Sequence, residues 1–166
     1  PFQYISQETP ELPNKLPSGL AGEYRKRRAM RPRSVGTIPS MHAALGLAMY
    51  GQVTSPLRRY GDLVSHRQLL NYIDGKPLTP AADLILKIAA GDVAGRACVS
   101  AERASRQHWT LVYLLQNPDW RGTAVVLDAM GKKAHIFIPS LGYEGDIALD
   151  AEPELNQELT VKVRRI

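Results

Sequence analysis

Hydrophobic residues change their spacing part-way along the chain. Before Asn117-Pro118 they recur every three or four positions, as on a buried helix face, and after it they alternate with polar residues, as in strands. We therefore predict an α+β fold with two domains. Residues 1–117 form a helical domain that opens with the loop-rich segment 1–39, and residues 118–166 form a small β domain.

Three helices are predicted, at about residues 40–50, 56–73 and 80–116. Ser40 and Ser55 are candidate N-caps, and Pro56 suits the first position of the second helix. Asn117, which precedes a proline, ends the third helix. In the β domain the runs "GTAVVLDA", "AHIFIPS" and "LTVKVRRI", together with a glycine-rich stretch, predict about four short strands.

A barrel of the OB type normally has five strands. The missing strand, and a chain that starts at Pro1, lead us to expect a piece of a longer protein. With 44% hydrophobic residues the 166-residue chain is globular by composition, and one cysteine excludes an internal disulfide framework. No apolar run has membrane-spanning length. We expect a cytoplasmic protein without a membrane partner.

Positive charge is concentrated in one segment, "RKRRAMRPR" (Arg25–Arg33). It holds six of the 21 basic residues and no acid, which leaves 15 basic against 16 acidic residues elsewhere. Such a segment could bind the phosphates of a nucleic acid, or it could be a solvated surface loop. The sequence leaves both hypotheses open.

The stretch "TSPLRRYGDLVSH" places two arginines near a predicted helix start. With Ser55 as N-cap, Arg58 occupies the third helical position and Arg59 the fourth, where the helix dipole opposes cations. A phosphate shared by the helix end, by Arg58 and by the hydroxyls of Thr54 and Ser55 would satisfy all of these groups. The alternative is an ion pair between Arg58 and Asp62, four residues on.

The run Pro39–Leu70, "PSMHAALGLAMYGQVTSPLRRYGDLVSHRQLL", resembles a signature of the ribonuclease II and ribonuclease R (RNB) family of exoribonucleases. The run Ala101–Trp109, "AERASRQHW", is similar to the helix that closes the same catalytic domain. The last segment resembles the family's C-terminal S1 domain, an OB barrel. The resemblance therefore implies the C-terminal part of an RNB catalytic domain followed by an S1-like domain.

The resemblance implies processive 3′ to 5′ hydrolysis of single-stranded RNA to nucleoside monophosphates. It places Arg58 against the phosphate being cleaved and Glu102 near the bound RNA. A salt bridge from Glu102 to Arg103 or Arg106 is the alternative for that carboxylate. In the β domain, candidates for base stacking and phosphate contact are Phe137, Tyr143, Lys132 and Lys133.

The family uses a divalent metal, for which we expect Mg²⁺, but the acids before Pro118 are scattered singly without an Asp-x-Asp group. We therefore predict no metal ligand in this chain and aspartates upstream, in the N-terminal remainder of the same enzyme. The chain alone should be inactive. Two other hypotheses stay open: a non-catalytic RNA-binding module, and a structural remnant that binds a protein partner.

Overall fold

In a computed structural model, residues 1–164 are described. They form three α-helices: α1 (Gly19–Ala29), α2 (Tyr60–Ile73) and α3 (Ala81–Gln116). They also form six strands: β1 (Tyr4–Ser6), β2 (Ser34–Gly36), β3 (Arg121–Met130), β4 (Lys133–Ile138), β5 (Tyr143–Ala148) and β6 (Glu158–Lys162). This mixture confirms the predicted α+β class.

The described residues fall into two compact units. The first unit contains Pro1–Glu11 and Met30–Ala101, and the second contains Leu12–Ala29 and the residues from Glu102 onward. The sequence prediction divides the chain at 117/118 instead. The difference arises because α1 and the last part of α3 cluster with the strands of the second unit.

The first unit is held by a small core and by the buried side chain of Gln68. Val64 of α2 packs with Leu84 and Ile88 of α3. The buried Gln68 side chain donates to the Thr79 carbonyl (3.2 Å) and accepts from the Thr79 backbone N–H (2.9 Å). These two bonds fix the link between α2 and α3, because both polar ends of the amide are satisfied away from water.

The predicted helix at 40–50 is wrong. Residues 43–45 form a single 3₁₀ turn that ends at Gly46, which has a φ of 63°. The backbone groups of Met41 and Ala43 bond to Gln7 next to β1 (3.0 and 2.9 Å), so they are not available for a helical ladder. The apolar side chains at Met41 and Leu45 are about half exposed, and burial therefore does not favour a helix here.

The second unit is built on an antiparallel sheet with strand order β5-β4-β3-β6. Alternate residues of β3 and β4 form its core, with Ala124, Val126, Ala134, Ile136 and Ile138 all buried. The sheet has four strands, at the three alternating runs and the glycine-rich stretch from which about four were predicted. Strand β6 ends at Lys162, and the predicted strand's last two residues, 165–166, lie outside the described residues.

Helix α1 was missed by the sequence prediction, which assigned residues 1–39 to loop. Its buried residues are Ala21 and Gly22, and five of its other nine residues are charged. The Ala21 backbone N–H donates to the Asn156 side chain (2.9 Å), which also donates to the Ser18 carbonyl (2.8 Å). The start of α1 is therefore capped by a residue far along the chain.

Candidate functional site

The segment Thr54–Arg59 forms a turn that precedes α2. The backbone N–H groups of Arg58 and Arg59 both donate to the Ser55 carbonyl (3.2 and 3.0 Å), and Arg59 is extended, with φ −124° and ψ 108°. The helix begins only at Tyr60, so the prediction of Ser55 as N-cap and of a helix from residue 56 is wrong. Arg58 accordingly lies before the helix and not in its first turn.

The carboxylate of Asp62 holds this turn in place. Its side chain is 1% exposed, and one oxygen, Oδ2, accepts from the Ser55 backbone N–H (2.8 Å) and from Arg59 Nε (3.1 Å) and Nη2 (2.7 Å). Arg59 also donates to the Thr54 hydroxyl (3.2 Å). The carboxylate thereby closes the turn and fixes the Arg59 guanidinium at once. The sequence hypothesis paired Asp62 with Arg58, but the structure pairs it with Arg59.

Arg58 is left without a carboxylate partner among residues 1–164. Its side chain is exposed, and its polar contact is a 3.4 Å approach of Nη2 to the Ser55 hydroxyl. Leu57 beside it is fully exposed. The guanidinium therefore keeps its planar set of N–H donors available, which is the geometry that binds a phosphate in a bidentate way.

His66 adds a support that the sequence did not assign. Its Nε2 hydrogen-bonds to the carbonyl oxygen of Val53, directly before the turn. The turn is thus tied to α2 at both ends, by His66 at its start and by Asp62 at its close. Neither tie could be read from residue spacing, because both depend on where α2 begins.

The other predicted contacts lie in the second unit. Glu102 accepts from Arg106 Nη2 at 3.0 Å, and both side chains are exposed. This is one of the two salt bridges that the sequence offered as the alternative to RNA contact. Lys132 and Lys133 are exposed at the turn between β3 and β4.

The two predicted stacking residues lie at the opposite end of this sheet from the lysines. Phe137 is four residues from Lys133 along β4, about 13 Å at the usual rise of a strand, and it is half-buried. Tyr143 opens β5 and packs against the core of the sheet. The structure therefore brings Thr54, Ser55, Arg58 and Arg59 together but does not gather the four sheet residues into one patch.

The basic segment Arg25–Arg33 is helical in its first part and an exposed loop in its second, because α1 ends at Ala29. Arg25 and Arg27 on α1 bind Asp128 of β3 (3.0 Å) and Glu144 of β5 (2.7 Å). Three more of its six basic residues have carboxylates within 4.0 Å: Lys26 with Glu23, Arg31 with Glu11 and Arg33 with Asp92. Arg28 has none among the described residues.

The ion pair with Arg27 lowers the pKa of Glu144. Burial alone would raise its pKa, but the hydrogen bond and charge of Arg27, aided by His135, outweigh that effect and lower the pKa below its usual 4.5. His135 also bonds Asp146 through Nδ1 (2.7 Å) and stacks against Tyr24 of α1 at 5.0 Å between ring centroids. Helix α1 is thereby attached to the sheet by charge and by aromatic contact.

Residues 1–164 contain no group of three or more His, Cys, Asp or Glu side chains that could hold a metal ion. Residues 1–164 therefore do not by themselves supply a set of metal ligands. Within the same range, none of the helices has the length and apolar character needed to cross a membrane.

Comparison with known proteins points to one family. The family model described as "RNB domain" matches residues 15–75. An uncharacterised ribonuclease of Synechocystis sp. is 33% identical over 98% of this chain and 26% of its own length. Exoribonuclease 2 of Buchnera aphidicola (subsp. Schizaphis graminum) is 32% identical over 74% of this chain and 21% of its own length.

The fold matches a solved structure as well. The crystal structure of an active-site mutant of the Dss1 exoribonuclease from Candida glabrata superposes with a TM-score of 0.83 and 23% identity, over 100% of this chain and 24% of that one. This likeness concerns the fold. The chain thus spans about a quarter of the length of these relatives.

Proposed function

Because this chain belongs to the RNB family of exoribonucleases, we propose that it forms the C-terminal part of an enzyme that degrades single-stranded RNA. In this proposal the enzyme works processively from the 3′ end and releases nucleoside monophosphates. The observation that carries the proposal is the exposed, unpaired guanidinium of Arg58 on a turn that Asp62 holds in place.

Arg58 is the residue we assign to the scissile phosphate. In phosphodiester hydrolysis, negative charge grows on the non-bridging oxygens, and a guanidinium already in position stabilises it without reorganisation. The two neighbouring hydroxyls, of Thr54 and Ser55, lie within the same turn and could contact the same phosphate. Arg59 differs in role, because its Nε and Nη2 donors are committed to Asp62 and Thr54.

Divalent-metal dependence belongs to the same proposal. We infer that the ligands for Mg²⁺ come from outside residues 1–164, in the remainder of the RNB enzyme, because the described residues hold no suitable cluster. This chain's part is then to bind and orient RNA and to place Arg58. We propose that the partners of this chain are the remainder of the enzyme and single-stranded RNA. We also propose that the enzyme acts in the cytoplasm.

An S1-like role for the second unit is also part of the proposal. Its antiparallel sheet pairs β3 with both β4 and β6, an arrangement compatible with the first four strands of an OB barrel. Glu102, Lys132, Lys133, Phe137 and Tyr143 remain predicted RNA contacts of this unit.

The test uses the protein that contains this chain together with the rest of its RNB domain. We expect Arg58→Ala to lower single-turnover cleavage of a labelled single-stranded RNA by roughly 100- to 1,000-fold. Equilibrium binding should fall only a few-fold, because many other contacts hold the strand. Arg67→Ala is the matched control, since it removes an exposed arginine of α2.

Equal losses in cleavage and binding would reduce Arg58 to an ordinary binding residue. Tight RNA binding with no cleavage products in the presence of Mg²⁺ would reject the hydrolytic proposal. That outcome would favour the non-catalytic RNA-binding module instead.

A further inference from the structure

Four arginines line one groove of the second unit. Arg27 and Arg28 reach it from α1, and Arg103 and Arg106 reach it from α3. Its volume is about 710 Å³, within the range of roughly 300–1,000 Å³ common for ligand clefts. The one carboxylate in the lining is Glu144. The groove therefore carries a strong positive excess.

Two of the four guanidiniums are already committed and two are not. Arg27 binds both oxygens of Glu144 at 2.7 Å, and Arg106 binds Glu102 at 3.0 Å. Arg28 and Arg103 are exposed and have no carboxylate within 4.0 Å among the described residues. The two paired arginines are thus held in place in the lining of the groove, while the two unpaired ones can bind an anion from solution.

Aromatic side chains continue this surface along α3. A second groove of about 460 Å³ shares Arg106 and Thr110 with the first and is lined by Trp109, Tyr113 and Trp120. Trp109 is 64% exposed and Tyr113 46% exposed. Since they are four residues apart on a helix, these two rings lie on one face, one turn apart.

We propose that the two grooves form one binding track for single-stranded RNA, and this track shares no residue with the turn that carries Arg58. Phosphates contact Arg28 and Arg103, and bases stack on Trp109 and Tyr113. Unpaired cations beside exposed aromatic rings are the combination that binds single strands without sequence preference. An acidic protein segment would use the arginines but would gain little from an exposed indole. The inference takes its ligand from the proposed function.

The first test measures binding of a fluorescently labelled single-stranded oligouridylate to this chain by anisotropy, as a function of salt. The double variant R28A/R103A should flatten the slope of log K against log salt by about 1.4, since each phosphate contact on a single strand contributes about 0.7. At about 0.1 M salt this corresponds to roughly a 25-fold loss. The charge-matched control is K26A/R121A, whose side chains are exposed but lie outside both grooves. It should leave the slope unchanged.

The second test addresses the bases. Trp109→Ala should weaken binding roughly 5- to 150-fold, and Trp109→Phe should recover part of the loss. Both tryptophans of the chain line the second groove, so oligouridylate should quench the intrinsic fluorescence. Circular dichroism and thermal unfolding of each variant would show that the fold is kept.

Equal effects of the groove variant and its control would overturn the proposal. So would displacement of the RNA by polyglutamate of matched charge combined with no effect of Trp109→Ala, a result that would identify a surface for an acidic protein. These measurements involve no hydrolysis and keep Arg58. Their failure therefore leaves the cleavage proposal intact, and failure of the Arg58 test leaves the binding result standing.

Discussion

The adjacent arginines before α2 should contribute very differently to folding. Arg59 donates twice to the buried carboxylate of Asp62, whereas Arg58 makes one long contact, to the Ser55 hydroxyl. Removing one member of a buried ion pair costs about 3–5 kcal/mol, because the other charge is left uncompensated. We therefore expect Arg59→Ala to be the damaging change and Arg58→Ala to alter the free energy of unfolding by less than about 0.5 kcal/mol.

The cost of Arg59→Ala can be narrowed from the geometry. The Arg59 side chain is 31% exposed, so water can enter the space it leaves and hydrate Asp62 in part. Asp62 also keeps its 2.8 Å bond from the Ser55 backbone N–H. Both facts reduce the cost below that of a fully buried pair, and we expect a loss of about 2–3 kcal/mol.

Thermal unfolding followed by far-UV circular dichroism measures this difference. For a chain of this length 1 kcal/mol corresponds to about 2–4 °C, so Arg59→Ala should lower the melting temperature by about 4–12 °C and Arg58→Ala by no more than about 2 °C. The double variant R59A/D62N should be more stable than R59A alone, since the buried charge is gone. Equal melting temperatures for R58A and R59A, or a double variant less stable than R59A, would refute this account of the turn.

Two further features of the second unit and one of α3 give testable expectations. Because the folded pKa of Glu144 is lowered, its stabilising effect is complete above about pH 4.5 and is lost as the pH falls through the folded value. Glu144→Gln should therefore make unfolding, followed by tryptophan fluorescence, less dependent on pH below 4.5. If the wild type and the variant have the same pH profile, the ion pair with Arg27 is not formed. Gly22→Ala should destabilise by about 3 kcal/mol, because a Cβ there collides with the Pro17 carbonyl oxygen. Gly95→Ala, with open space around it on α3, should stabilise by about 0.5–1 kcal/mol in the same melting experiment. The opposite order of these two alanine variants would contradict the packing described for α1.

The long helix and the sheet could be predicted because their signals are local. A proline just before α3 and Asn117-Pro118 after it mark both ends to within a residue, and alternation of apolar residues marks the strands. Helix α1 could not be predicted in this way. Arg25 and Arg27 are positioned by carboxylates 103 and 117 residues further along the chain, and no periodicity within eleven residues contains that information.

The candidate site shows the same limit on a smaller scale. The motif predicted that Thr54, Ser55, Arg58 and Arg59 lie close together, and they do, although in a turn and not at a helix start; Asp62 orients one of the two arginines. Which arginine is oriented depends on where the helix begins, and a start at Tyr60 instead of Pro56 changes the partner of Asp62 from Arg58 to Arg59. The capping signals at Ser55 and Pro56 were satisfied by a turn, which uses the same residue types as a helix start.

The pairing of Asp62 with Arg59, and not with Arg58, has a practical consequence for mutational scanning of this protein. In a saturation library, substitutions at residue 59 should be depleted already at the level of protein abundance, whatever the substrate. On the role proposed for Arg58, substitutions at residue 58 should pass an abundance screen and be lost only under selection for turnover. Substitutions at residue 59 would then be selected for folding and those at residue 58 for turnover. New side chains could therefore be tested at position 58 without a second substitution to restore stability.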